Sequence, residues 1–184
     1  MDLTGKFLIA MPGMLDPRFD HSVILICAHG DDGAMGLIVN KPIPDLTFAE
    51  LLDQMLIRKS GAQHAVPVIY GGPVERGRGF VLHADDQGKA EGRIHIPGAF
   101  AMTTTRDILQ DLALGEGPSQ AVLALGYSGW GAGQLEAEIA RNDWLTVDAD
   151  PGLVFSAPQG NIWTQALARL GVDPLTLSAT AGRA

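Results

Sequence analysis

Short apolar runs come in groups along this chain, and helical stretches interrupt the groups without alternating with single strands. Residues 6–11 (KFLIAM), 22–28 (SVILICA) and 34–40 (AMGLIVN) are rich in branched side chains and follow one another with only loops between them. Residues 65–70 (AVPVIY), 79–84 (GFVLHA) and 92–96 (GRIHI) form a second group, and 120–127 (QAVLALGY), 144–148 (WLTVD) and 153–156 (LVFS) a third. Helices are expected over 47–60, where Thr47 and Glu50 have the spacing of a capping box, and from about Arg106 to Leu114, capped by the threonines at 103–105. Two more are expected from Gln134 onward and over 161–171, the last stopped by Gly171 with Pro174 beyond. Grouped strands with about four flanking helices predict an α+β fold with a mostly antiparallel or mixed sheet, not a doubly wound parallel one. A chain of 184 residues is expected to form a single domain, here over 1–175, with 176–184 as a frayed tail.

Local chemistry agrees with this segmentation. HGDDG (29–33) supplies Asp and Gly where a tight turn between two strands needs them. Gly36 inside a strand predicts a bulge or a close backbone approach. The proline- and glycine-bearing stretch 11–21 reads as a loop.

Composition narrows the function classes. Hydrophobic residues make up 46% and charged residues 18%, the balance of a compact globular chain. No run approaches the roughly 18 apolar residues of a membrane span, and Pro12-Gly13 breaks the N-terminal apolar run before it can act as a signal peptide. Cys27 is the only cysteine, so no intramolecular disulfide forms, which suits the cytoplasm. Thirteen Lys+Arg face 21 Asp+Glu for a net charge of −8, and Arg76 and Arg78 are the nearest approach to a basic cluster. Bare nucleic acid is therefore not an expected partner, because its non-specific affinity comes from neutralised phosphates.

The segment GYSGWGAGQLE (126–136) admits three chemistries. A nucleophile elbow needs glycine two places after Ser128, but Trp130 stands there, and His21, His29, His64, His83 and His95 all precede the serine. A phosphate cradle needs a glycine spacing that is absent here, and Glu136 in the first helical turn would repel an anion. The third reading is packing: glycines let the chain turn beneath Tyr127 and Trp130, which bury their rings and seek one hydrogen bond each. Elsewhere, His29-x-Asp31-Asp32 and His83-x-Asp85-Asp86 echo each other at strand ends. Imidazole and carboxylate can ligate metals, yet neither stretch has the spacing that sets two ligands on one face, and hairpin chemistry explains both. Lys41, at a strand end, is a candidate anion contact. Cys27, within an apolar strand, is expected to be a small buried hydrophobe.

Four stretches taken together, GKFLIAMPGMLDPRFDHSVILIC, GAMGLIVNKP, YGGPVERGRGFVLH and LGYSGWGAGQLEAEIARNDWL, resemble the signature segments of the YqgE/AlgH family of bacterial proteins, in order from about Leu3 to the helix around Trp163. The resemblance implies a compact α+β domain whose sheet partly closes into a barrel flanked by helices. It implies no catalytic residue, because none is established for the family, one member of which has been described as a candidate transcriptional regulator. The family commonly has alanine where Ser128 stands, which counts against a serine nucleophile, and the stretch holding Arg76 and Arg78 is more basic than its usual counterpart.

These readings lead to a non-enzymatic regulatory or protein-interaction domain, without cofactor or metal, acting through a protein partner. The candidate ligand or partner surface is Asn40, Lys41, Gly71, Gly72, Pro73, Tyr127, Trp130 and Gln134. One alternative is a small-ligand or anion binder, which requires the loops at 40–42, 71–73 and 126–133 to lie together. The other is a hydrolase or metal-dependent enzyme, which requires His29 with Asp31 and His83 with Asp85 to converge.

Overall fold

The computed structural model describes residues 1–61, 65–86 and 91–177. Strands β1 (Lys6–Ala10), β2 (Val23–Gly30), β3 (Gly33–Ile38), β4 (Val68–Tyr70), β5 (Val74–Ala84), β6 (Ile94–Ile96), β7 (Phe100–Thr103), β8 (Ala121–Gly131) and β9 (Trp144–Asp148) join in one sheet. Its order is β6-β7-β5-β8-β3-β2-β1-β9, with β4 also on β8. The β4–β8 pair is parallel and the others are antiparallel, so the sheet is mixed but mostly antiparallel. It curls into a half-barrel and is flanked, among the described residues, by five helices: α1 (Phe48–Gln54), α2 (Arg106–Leu114), α3 (Gln134–Ala140), α4 (Pro151–Phe155) and α5 (Ile162–Arg169).

Strand alternation sorts the apolar side chains into an inner and an outer set. Phe7, Ile9, Val23, Leu25, Leu37, Phe80, Leu82, Phe100, Met102, Val122 and Ala124 come from six strands and meet in one inner core. Leu153 and Val154 of α4 and Ile162, Trp163, Ala166 and Leu167 of α5 fill that core from within the trough. The outer face diverges as the sheet curls, so it carries two separate clusters. One packs α1 and α2 over Val68, Val81 and Leu123. The other packs α3 over Leu8, Ile24, Ile26 and Ile38.

Several local expectations hold. The β2–β3 hairpin turns at Asp31-Asp32, with Gly30 opposite Gly33. A Cβ on Gly36 would lie 2.7 Å from the Ile24 side chain and 2.8 Å from the Leu25 carbonyl oxygen, and the facing register shifts between Ile26 and Ala28. Thr47 and Glu50 form the reciprocal capping box of α1.

Others are corrected. Residues 153–156 are not a strand: Asp150 accepts from the Gly152 amide with Pro151 at the first helical position, and this start signal overrides the β-propensity of LVF. α1 stops at Gln54 instead of running to 60, because Leu56 turns left-handed at φ 56° and thereby buries Ile57. Thr103 does not cap α2 but ends β7, a strand the apolar pattern did not reveal, and Thr105 occupies the cap position without a side-chain bond. Residues 65–67 precede the short strand β4. The loop at 11–21 contains a 3-10 helix, Pro17–Phe19, capped by Asp16. Of the expected tail, Leu177 packs against the inner core, and 178–184 lie outside the described residues, as do His64 and part of the turn after Asp86.

Candidate interaction surface around strand β8

The site is organised by one glycine. Along β8, Val122 and Ala124 face the inner core while Leu123 and Leu125 face outward. Gly126 sits at φ 74°, and a side chain there would run into the Gly72 carbonyl. The irregularity shifts the alternation by one residue, which moves every later side chain to the other face. Tyr127 thus points inward and meets the Phe80 ring edge-on at 5.8 Å, whereas Trp130 points outward among Leu135, Ile139 and Trp144.

Trp130 is 7% exposed and Trp144 3%. Their rings stand edge to face at 6.2 Å, and both indole N–H groups donate to the same carboxylate oxygen of Glu138, at 2.9 and 2.8 Å. The other Glu138 oxygen accepts from the Gln134 amide one helical turn earlier, at 3.0 Å, and the Gln134 carbonyl oxygen accepts from the Gly131 amide. Glu138 therefore ties α3, β8 and β9 together. Over these rings lies a cleft of about 400 Å³, rimmed by Leu15, Arg18, Pro73 and Arg141. Arg18 pairs with Asp16 and Arg141 with Asp143, so both rim cations are already neutralised.

On the inner face of the same strand segment lies a larger groove of about 890 Å³. Met35, Phe80, Met102 and Tyr127 line it, Ile94 and Val74 stand at its sides, and the β2–β3 turn forms one end. The two clefts share Val74, Gly129 and Trp130.

The three loops named from the sequence do meet. Lys41 accepts from the Tyr70 amide, Ile38 donates to the Gly71 carbonyl, and Gly71 donates to the Leu125 carbonyl. The residues differ in what they offer. Pro73, Tyr127, Trp130 and Gln134 line the clefts. Gly71 and Gly72 are buried and shape the surface from beneath, since a side chain on either would collide with the β8 backbone. Asn40 is spent on the frame: its side chain accepts from the Val23 amide and donates to the His21 carbonyl. The Lys41 ammonium donates to the Arg18 carbonyl; burial lowers its pKa, while Asp20 and Asp16 nearby push the other way.

The groups with reactive chemistry are also committed. Ser128 is fully buried and donates to the Gly71 carbonyl at 3.2 Å. Burial pushes the Cys27 thiol up to about 12, so it stays protonated. The Leu3 amide donates to His29 Nδ1, which leaves the ring proton on Nε2 to donate to Glu136 at 2.7 Å. His83 Nδ1 donates to the Ala84 carbonyl and its Nε2 accepts from the Thr103 hydroxyl, both at 2.9 Å; burial lowers its pKa. The strands bearing His29 and His83 are separated by β3 and β8, about 14 Å at the spacing of neighbouring strands, so these two motifs do not converge. Among the described residues, no three His, Cys, Asp or Glu side chains gather as a metal site.

Sequence reasoning passed over Glu138, Trp144 and the rim residues Leu15, Val74 and Ile94. Gln134 and Glu138 at i and i+4 were the one readable signal for the indole clamp; the rim residues had none, since exposure is a tertiary property.

A mostly antiparallel half-barrel, filled from within by two helices and clamped on its outer face at Glu138, makes this an α+β protein. The chain belongs to the AlgH-like family (DUF179), whose model matches residues 7–175. It is 57% identical over 184 residues to a UPF0301 protein of Cereibacter sphaeroides and 58% over 185 residues to one of Ruegeria pomeroyi, with full coverage of all the chains compared. The solution structure of the AlgH protein from Pseudomonas aeruginosa is similar at 42% identity and a TM-score of 0.80, over 100% of this chain and 97% of that one. A crystal structure from Corynebacterium diphtheriae shares the fold at 22% identity and a TM-score of 0.77, over 96% and 92% of the two chains. No helix among the described residues is long and apolar enough to cross a membrane.

Proposed function

We propose that this chain is a non-catalytic interaction domain of the cytoplasm that acts by binding a protein partner, and that any effect on transcription passes through that partner and not through bare DNA. The observation that supports this reading is the placement of exposed apolar side chains. Leu15 (97% exposed), Val74 (36%) and Ile94 (50%) stand at the rims of two adjoining clefts. Large apolar side chains gathered beside concave surface mark sites of association. The net charge of −8 fits a protein partner better than a polyphosphate, and the commitment of Ser128, His29 and His83 to structural bonds counts against a catalytic role.

Affinity capture from native lysate with the wild-type chain and with Leu15→Asp and Ile94→Asp tests this. The expected result is a saturable partner retained by the wild type and lost by at least one variant, with no salt-dependent affinity for duplex DNA. Tight duplex binding that weakens steeply with salt, or substrate turnover abolished by Ser128→Ala, would overturn it.

A further inference from the structure

The inner trough of the half-barrel is filled along only part of its length. α5 lays Ile162, Trp163, Ala166 and Leu167 into the inner core, at the spacing of one apolar helix face. Toward the β2–β3 hairpin the same core continues as the floor of the 890 Å³ groove. Phe80 and Met102 belong to that core, and Met35 and Tyr127 pack against it. The groove lies open beside that core: Met35 and Tyr127 are half-buried in its floor, whereas Phe80 and Met102, 3% and 5% exposed, are already covered by the chain. Met35, half-buried in the floor, lets it adapt to more than one side-chain shape.

The charges around the groove are asymmetric. Arg78 is neutralised by Glu75 and lies over the Phe80 ring at 5.0 Å. Asp31 and Asp32, at the hairpin end, are exposed and make no ion pair or side-chain hydrogen bond among the described residues. Nearby acids do find partners: Glu136 pairs with His29, Asp85 with Arg93 and His95, and Asp143 with Arg141. Two adjacent unpaired carboxylates at one end of an apolar groove repel anionic lipids and nucleic acids and favour a cation.

We propose that this groove binds an amphipathic helix of a protein partner, which lays its apolar face against Met35, Tyr127, Val74 and Ile94 and sets a Lys or Arg against Asp31 and Asp32. This rests on the reading of the chain as a protein-interaction domain and names the partner's chemistry. It is a helix-in-groove recognition mode in which area supplies affinity and the basic residue sets direction.

The test uses the full chain and two synthetic amphipathic peptides that share a Leu/Ile face and differ only in Lys or Glu on its flank. Amide chemical-shift mapping with the Lys peptide is expected to move Ala28–Met35, Ile94, Met102 and Tyr127–Trp130, and the Lys peptide should bind roughly tenfold tighter than the Glu peptide. Asp31→Asn with Asp32→Asn, at an exposed turn, should abolish that preference, and Asp31→Lys with Asp32→Lys should reverse it. Equal affinities, shifts confined to other surfaces, or no binding by either peptide would overturn the inference. A captured lysate partner whose binding ignores both double variants would overturn it too, while leaving the interaction-domain reading intact. Turnover dependent on Ser128 would instead remove that reading.

Discussion

The two His-x-Asp-Asp stretches begin alike and end as opposites. At the end of β5, His83 is buried between the Ala84 carbonyl and the Thr103 hydroxyl; Asp85 holds Arg93 and His95, and Asp86 accepts from Ser119. At the end of β2, His29 reaches across to the Leu3 amide and Glu136, and Asp31 and Asp32 face solvent without partners among the described residues. The first stretch lies where β6, β7 and the start of β8 crowd around it, so the buried His83 and half-buried Asp85 find partners within the protein. The second projects as a two-residue turn past the end of β8, where water satisfies the carboxylates. One sequence pattern therefore builds a locked corner at one place and a charged tip at another, and neighbours decide which.

The largest expected effect breaks the tip. Gly33 sits at φ 132° beside the Trp130 carbonyl, so Gly33→Ala combines strain with overlap and should cost about 3–5 kcal/mol by urea unfolding. A cost under about 1 kcal/mol would show that the hairpin can move away from β8.

Next comes the locked corner. His83→Ala removes a buried ring and strands the Thr103 hydroxyl, for an expected loss of about 2–4 kcal/mol. It also carries a pH signature. Burial holds the folded-state pKa of His83 below the roughly 6.5 of a free imidazole. Between those two values the unfolded chain binds a proton that the folded chain does not, so stability falls as pH drops below about 6.5. The wild type should lose stability more steeply than His83→Ala across that window; parallel curves would mean that the ring takes up its proton as readily in the folded chain as in the unfolded one. The carboxylates with lowered pKa, Asp2, Asp16, Glu50 and Glu136, act at lower pH, where stability is lost as they protonate below about pH 4.

The smallest effect sharpens the contrast. His29→Ala strands the Leu3 amide but leaves Glu136 in solvent, so the cost should be about 1–2 kcal/mol, with the Leu3 amide exchanging faster by hydrogen exchange. If the loss matched that at His83, the two corners would be equivalent after all.

Much of this was legible in advance. Branched apolar runs marked the strands β1, β2, β3 and β8, and Thr47-x-x-Glu50 marked the start of α1, because each signal is local. β7 was hidden, since FAMT is too short for alternation to register. The end of α1 was hidden because burying Ile57 in the outer cluster drives the turn at Leu56. At the candidate site, the residues of 126–136 stood out by their glycines and aromatics, and Tyr127, Trp130 and Gln134 do line the clefts. Asn40, Gly71 and Gly72 were equally conspicuous but serve the frame, and nothing local distinguishes a loop that presents itself from one that is covered.

The sequence by itself determined the class of fold, the absence of an intramolecular disulfide, the acidic balance and the family, all of which follow from composition, local patterning and the order of segments. Only the tertiary structure decided which face each side chain of β8 would occupy. One left-handed residue at Gly126, held against the Gly72 carbonyl, shifts the alternation and sends Tyr127 into the trough and Trp130 out to Glu138. A period-two strand transmits such a shift to every residue after it, so the surface around β8 depends on a backbone contact between segments more than fifty residues apart.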